Sequence, residues 1–239
     1  MRIAVVSDIH GNLDALEAVI ADMRDRGIDR VVNLGDSLAG PLLPKETVQF
    51  LMAQDWIQLA GNHERQMSHL SASSGAADTY AHSQLSPAEL AWLATLPARA
   101  AIGDDVLLCH GTPANDVTML LEVANRPASR TEIETHLAGI TASMILCGHS
   151  HVARSVRCGE RLIVNPGSVG LPAYRDDYPF EHAIESGSPD ARYAIVEQRG
   201  TGWHVALLTV PYDFRRMAHL ARLRGFTDWA SALETGYIT

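Results

Sequence analysis

The sequence predicts an α/β layered fold, on three observations. Strand, helix and strand signals follow one another within about thirty residues near the start of the chain. Short apolar runs recur along its length, and polar residues able to do chemistry cluster just after those runs instead of within them. With 239 residues, 46% of them hydrophobic, the chain is long enough for one substantial core. Nothing demands a second domain, so residues 1–239 are read as a single unit.

Residues 3–6 read as a buried strand and residues 7–12 as the loop at its end. Leu13, Leu16, Ile20 and Met23 then fall at helical spacing, with Asn12 placed to cap and Gly27 to stop the helix. Residues 31–34 supply the next strand, which ends at Gly35 and Asp36. Val48, Leu51, Met52 and Trp56 mark a helix within residues 44–59, ahead of the motif AGNHE. Residues 64–96 have helical tendency, broken by small and polar residues at 71–78 and again at Ser86 and Pro87. There Ser86, Pro87 and Glu89 have the character of a helix start, followed by Leu90, Leu93 and Leu96 on one face.

Residues 106–108 form a strand leading into Cys109, His110 and Gly111. Residues 116–137 are expected to form two short helices separated near Pro127, the second capped by Ser129 or Thr131. Residues 64–137 are thus taken as a mostly helical insertion over one edge of the site, interrupted by the strand near 106–109. Residues 144–146 make a further strand that enters the motif CGHSH. Segments 162–164, 193–196 and 203–210 supply a second set of strands, the last two joined by a turn at 199–202. Apolar residues at irregular helical intervals over 214–223 close the pattern near Gly225. Trp56, Trp92 and Trp203 fit packing positions on these elements.

Lys and Arg total 19 against 28 Asp and Glu, a formal charge of -9 that argues against a general polyanion-binding surface. No basic stripe interleaved with aromatics is present, so no stable nucleic-acid partner is expected, whereas a small phosphorylated substrate is compatible. The opening MRIAVVSDIH meets an Asp and a His too early for a secretory apolar segment, and the apolar runs are too short to span a bilayer. A cytoplasmic protein with no membrane partner is expected. Cys109, Cys147 and Cys158 are odd in number and lack a CxxC pair, which makes them small strand residues and not a disulfide framework. No apolar stripe is assignable to a partner instead of the core, so the oligomeric state stays open.

The chemistry concentrates in five short islands: Asp8 and His10 in SDIHGN, Asp36 in NLGD, Asn62 and His63 in AGNHE, His110 in LCHG, and His149 and His151 in CGHSH. Carboxylate oxygen and imidazole nitrogen suit divalent first-row ions, whereas a calcium loop needs a denser array of oxygens. Asp8 and His10 alternate by two, so an extended turn can aim both at one ion. Asp36 offers two oxygens, enough to bridge cations about 3.5 to 4 Å apart. Asn62 adds a neutral carbonyl oxygen without further charge. Glycine beside each island, at 11, 35, 61, 111 and 148, permits tight turns or close backbone approach.

These islands closely resemble the calcineurin-like metallophosphoesterase superfamily, in its compact bacterial phosphodiesterase-like branch. Its motifs DxH, GD, GNH, H and GHxH are matched in order from Asp8 to His151, and NPGSVG at 165–170 also looks like this branch. The resemblance implies a four-layer αββα sandwich with two mixed β-sheets. It implies one metal on Asp8, His10, Asp36 and His151 and another on Asp36, Asn62, His110 and His149, the ions being Mn first, with Fe, Zn, Ni or Co as alternatives. It also implies His63 as proton donor, so that Asp36 and His63 are the expected catalytic pair.

The reaction expected from this set is in-line hydrolysis of a phosphodiester by a metal-bridging hydroxide, without a phosphoenzyme. No conspicuous Arg stands beside the core islands to clamp a dianion, which favours a diester over a phosphomonoester or phosphoprotein, the alternative reading. A non-catalytic interaction module that kept only the scaffold would show damaged ligand positions, and all seven are intact. Around the centre, Asn12 can bind phosphate, orient a ligand or cap its helix. Asn165 and Ser168 can support a ligand or form a turn, and Arg65 and Arg175 can swing towards substrate.

Overall fold

The computed structural model describes residues 1–71, 74–200 and 202–238. The chain begins with β1 (Arg2–Val6), α1 (Leu13–Met23) and β2 (Arg30–Asn33), followed by α2 (Pro44–Met52) and the short β3 (Ile57–Gln58). β1 pairs in parallel with β2, and β2 with β3, which requires a helical crossover at each step. Both faces of β1 are covered. Ile3 and Val5 enter one apolar cluster, and Ala4 and Val6 enter another with Leu16 and Val19 of α1. β-branched residues on both faces are what a doubly covered parallel strand calls for.

Three helices follow: α3 (Asn62–Met67), α4 (Ala76–Gln84) and α5 (Pro87–Leu93). Ser86 starts α5 by accepting from the Glu89 backbone N–H at 3.3 Å, while the Glu89 carboxylate accepts from the Ser86 N–H at 2.6 Å. The chain returns as β4 (Arg99–Ile102) and β5 (Val106–Cys109), then forms a small hairpin of β6 (Glu122–Val123) and β7 (Arg126–Pro127). Helix α6 (Arg130–His136), capped by Ser129 and Glu132 in the same reciprocal way, precedes β8 (Met144–Leu146), β9 (Arg154–Cys158) and β10 (Arg161–Asn165). A second hairpin, β11 (Ala173–Asp176) with β12 (His182–Glu185), leads to the long β13 (Ala191–Arg199) and β14 (Gly202–Val210). Helices α7 (Arg215–Leu223) and α8 (Thr227–Thr235) end the chain.

The strands assemble into two mixed five-stranded sheets, ordered β14-β13-β1-β2-β3 and β4-β5-β8-β10-β9. Ile3, Val5, Val32 and Leu34 of the first meet Leu108, Leu146 and Val164 of the second, forming a dry seam between them. α1 and α2 cover the outer face of the first sheet, while Ile133 and Leu137 of the α6 region cover Ile145 and Ile163 on the outer face of the second. The architecture is the expected αββα sandwich with its helical insertion. Trp56, Trp92 and Trp203 pack against these clusters, and Cys109, Cys147 and Cys158 are buried and free.

Three local expectations need correction. The helix placed within residues 44–59 stops at Met52, and Ile57–Gln58 instead extends the first sheet, where two residues leave too little pattern to read. Residues 116–137 hold one helix and not two. Pro127 sits in β7, and Leu120 and Leu121 are buried by a loop and hairpin whose apolar spacing imitates a helix face. A final helix, α8, follows the stop near Gly225. Of the polar interruption at 71–78, Ala72 and Ser73 lie outside the described residues, as does Thr201 of the turn joining β13 and β14.

The seam gives a direct test. Leu108 is fully buried in it, so Leu108→Ala should lower the unfolding free energy by about 3 kcal/mol in urea. Leu207→Ser, at a side chain 40% exposed on β14, should stay within about 0.5 kcal/mol of the parent.

Candidate metal centre

Every island lies just past the carboxyl end of a parallel strand: Asp8 and His10 after β1, Asp36 after β2, Asn62 after β3, His110 after β5, and His149 and His151 after β8. That edge is where α/β sheets collect their ligands, because the loops leaving parallel strands all open there. Asp8, His10, Asp36, His149 and His151 have φ between 53° and 67°, a left-handed conformation uncommon outside glycine. Asp and His tolerate it better than most residues, yet five such turns carry a cost of about 1 kcal/mol or more each.

Cross-links hold the turns in place. The Asp8 and His10 amides donate to the Gly35 and Asp36 carbonyls, both at 3.0 Å, and the Gly148 amide donates to the His110 carbonyl at 2.6 Å. A Cβ on Gly61 would collide with the Asp36 carboxylate, and one on Gly148 with Ser7 and Asp8, so these loops touch through bare backbone.

Two groups of donors result, Asp8 with His10 and His151, and Asp36 with His110 and His149, the donor atoms of each lying within 4.8 Å of one another. Asp36 falls in the second group. The groups adjoin, since His110 Nε2 stands 2.9 Å from Asp36 Oδ2 and 4.0 Å from Asp8 Oδ1. Three imidazoles present Nδ1 to a main-chain carbonyl: His10 to Ala39 at 2.8 Å, His110 to Leu34 at 2.9 Å and His151 to Leu171 at 2.7 Å. Each Nδ1 must carry a proton for that contact, which turns Nε2 inward, as a lone pair whenever the ring is neutral. His149 reverses the arrangement, with Nε2 at 3.0 Å from the Val117 carbonyl.

Inward, His10 Nε2 and His151 Nε2 stand only 3.2 Å apart, two lone pairs facing each other when both rings are neutral. Asp8 Oδ1 and Asn62 Oδ1 are likewise buried without a hydrogen-bond partner. Buried acceptors aimed at one another are costly unless a cation satisfies them. The donor set, imidazole with carboxylate and one amide oxygen, therefore fits divalent transition ions.

Charge follows the same geometry. Burial, reinforced by His151 and His63, pushes His10 down to about 3, and burial with His110 pushes His149 down to about 4, so both imidazoles are neutral at pH 7. Burial would also lower His110, but Asp36, Asp8 and Glu64 outweigh it and raise the ring to about 9. Burial opposes the charge on Asp36 too, yet His110, His63 and His10 hold its carboxyl well below the usual range. Asp8 stays low for a like reason, through His151 and His110.

His63 does not join either donor group. Its Nδ1 contacts Asp78 Oδ1 of α4 at 2.7 Å and its Nε2 faces Asp36 Oδ2 at 4.0 Å. Burial works against its charged form, but Asp36, Asp78 and Glu64 push it up to about 10. Of these acids, Asp78 and Glu64 carry no role in the sequence reading. Glu64 is buried and accepts the Asp36 and Gly61 amides at 2.8 Å through one oxygen and the Ser37 amide at 2.8 Å through the other. A Glu two places beyond Asn62 was visible in AGNHE as the third residue of a helix start. Asp78 carried no local signal, because only packing of α4 beside α3 brings it to the ring.

The remaining candidates divide by what they touch. Asn12 caps α1 by accepting the Ala15 amide at 3.2 Å and donates to the Gly170 carbonyl and the Tyr212 hydroxyl, both at 2.9 Å. Asn165 donates to the Gly148 carbonyl at 2.7 Å, and Ser168 donates to the Asp8 carbonyl at 2.7 Å, so both brace ligand loops from behind. Arg65 is held by a two-pronged pair with Asp116 at 2.7 and 2.8 Å. Arg175 is exposed and, among the described residues, forms no ion pair or side-chain hydrogen bond. It lines a cleft of about 170 Å³ with Tyr174, Trp229 and the candidate ligands. A wider groove of about 550 Å³ near Ile28 and Trp56 contains none of them.

A domain on two mixed sheets with two clustered donor groups at their strand ends defines a metallophosphoesterase-type fold. The chain belongs to the calcineurin-like phosphoesterase superfamily, whose domain model matches residues 1–184. An uncharacterized protein of Methanocaldococcus jannaschii is 25% identical, over 90% of this chain and 89% of its own. The crystal structure of a metallophosphoesterase from Sphaerobacter thermophilus superposes with a TM-score of 0.79 at 25% identity, covering 99% of both chains. A hypothetical protein of Pyrococcus horikoshii shares the fold at 19% identity, with a TM-score of 0.76 over 100% of this chain and 99% of its own. Fold and donor groups together support metal-dependent phosphoester hydrolysis. Among the described residues no helix is long and apolar enough to cross a membrane.

Because His110 is raised to about 9 without metal, a cation bound through its Nε2 would have to displace that proton, so its affinity would fall as pH drops below that value. Mn affinity measured by calorimetry should weaken about tenfold per pH unit from pH 8.5 to 7, with buffer-dependent heats showing proton release. A flat profile with no released proton would contradict the His110 assignment.

Proposed function

We propose that the protein is a phosphodiesterase of this superfamily's compact bacterial type, dependent on two divalent cations, with Mn as the expected metal. The observation that carries the reading is the set of inward-facing donors, above all the His10 and His151 nitrogens 3.2 Å apart. Asp8, His10 and His151 would hold one ion, Asn62, His110 and His149 the other, and Asp36 would serve both. When bound, the pair supplies Lewis acidity that neutralises phosphoryl oxygens and lowers the pKa of water.

The chain's own groups then divide the remaining work. His63 is the proton donor to the leaving oxygen: its Nε2 is turned towards the cleft while Asp78 holds Nδ1. Asp78 acts through His63, orienting the ring and favouring its charged form. Arg65 is already neutralised by Asp116, which leaves Arg175 as the cation free to meet substrate. One exposed Arg suits the single charge of a diester better than the dianion of a monoester, so phosphomonoester hydrolysis is the second reading. Intact donors and a supported His63 weigh against a non-catalytic module.

Asp36→Asn should lose both bound Mn and turnover, whereas His63→Ala should keep its metal, by elemental analysis, and lose about 10²–10⁴-fold in kcat on a poor leaving group. The His63→Ala loss should shrink with a nitrophenolate leaving group, which needs no proton. Full activity in both variants would remove the assignment. Asp78→Asn lowers the His63 pKa by taking away a hydrogen bond and a charge that raise it. An acid catalyst works only while protonated, so the alkaline limb of the kcat profile should move to lower pH in that variant. An unmoved limb would show that Asp78 plays no part in protonation.

A further inference from the structure

A second cavity, of about 220 Å³, opens beside the metal cleft between β11 and α8. Leu171, Tyr174, Arg175 and Trp229 line both spaces, so the two meet along these side chains. None of the seven candidate ligands reaches the second cavity, whose other walls include Ala173, Ala232 and Asp228. Each space alone is smaller than the sites that enclose small organic molecules, of about 300–1,000 Å³, and together they come into that range.

The junction is well built. Trp229 is half-buried, sits edge-on to the His10 ring at 5.8 Å between centroids, and packs into the apolar contacts around Leu42 and around Leu171. A Cβ on Gly40 would come within 2.9 Å of the indole, so the missing side chain there gives Trp229 its seat. Tyr174 is fixed from behind, its ring 4.6 Å from that of His151 and its hydroxyl 3.3 Å from the His149 carbonyl. Two anchored aromatic side chains thus wall a space kept open by alanines, and the unpaired Arg175 stands where the space joins the cleft.

We propose that this cavity is the subsite for the ester arm that stays on phosphorus, and that it takes a planar aromatic or heteroaromatic ring against Trp229. The proposal rests on the phosphodiester reading, since a monoester has no retained arm. Flat indole and phenol walls favour a ring through offset or edge-on contact beyond simple burial. A flexible alkyl arm would lose rotamer freedom on entry for less contact. Arg175 and Asp228 carry opposite charge, which suits a neutral ring bearing donor and acceptor edges over an ionic arm. At the junction Arg175 reaches the phosphoryl oxygens.

The test uses two non-hydrolysable phosphinates, dimethylphosphinate and benzyl(methyl)phosphinate, binding to the Mn-loaded protein in calorimetry. The benzyl arm should tighten binding about tenfold in the parent. That gain should fall to about twofold or less in Trp229→Ala, and again in Ala232→Phe, which fills the cavity without removing the indole. The ratio between the two ligands is the readout, so a general loss of affinity or stability in either variant does not imitate the result. No gain in the parent, or an equal gain in parent and both variants, overturns the subsite. Turnover of an aryl diester is measured alongside. Its absence with the benzyl gain intact would remove the diester reading and with it the retained-arm role, leaving a ring-binding cavity, whereas turnover without the gain would keep the diester reading and remove the subsite.

Discussion

The structure is organised around a repulsion. Carboxylate oxygens and imidazole nitrogens are packed together at the sheet edges, with the His10 and His151 nitrogens at 3.2 Å and Asp8 Oδ1 and Asn62 Oδ1 buried without partners. Left alone, such atoms would separate or take up protons. They are held by contacts that point the other way: ring protons given to the Ala39, Leu34 and Leu171 carbonyls, and loop amides given to neighbouring loops. The five left-handed turns are part of the same constraint, because each aims a side chain where an ordinary turn would not.

The sandwich exists to make that constraint affordable. Two sheets sharing a dry seam put the carboxyl ends of β1, β2 and β3 next to those of β5 and β8, so ligands from distant stretches of chain arrive on one edge. The helices add the second layer of control. α3 starts at Asn62 and returns Glu64 to three amides around Asp36, and α4 carries Asp78 to His63. The Asp36 loop and the His63 ring are thus positioned by groups that lie outside the two donor clusters. Such outer groups commonly set how well a metal site works.

Legibility tracked the range of the interaction that made each feature. β1, β2, β5 and β8 were readable because their residues are apolar on both faces, and the capping pairs at Ser86 and Ser129 are contained within four residues. Six of the seven donors stood out because each follows such a strand, and Asn62 because it falls in the motif AGNHE. What was misread had a weak or misleading local pattern: β3 spans two residues, β4 alternates between exposed and half-buried, and Leu120 and Leu121 are buried by a hairpin that looks helical in spacing. Arg65 looked free for substrate until Asp116, from a distant loop, was seen to occupy it.

By itself, then, the sequence determined the layered architecture and the clustering of carboxylate and imidazole donors at the strand ends, since strand periodicity and donor chemistry are properties of short segments. Only the tertiary structure decided which nitrogen of each histidine faces inward, which acid supports His63, and that Trp229 borders the cleft. Those depend on carbonyls, carboxylates and rings brought together from tens or hundreds of residues away, and no local pattern encodes a contact of that kind.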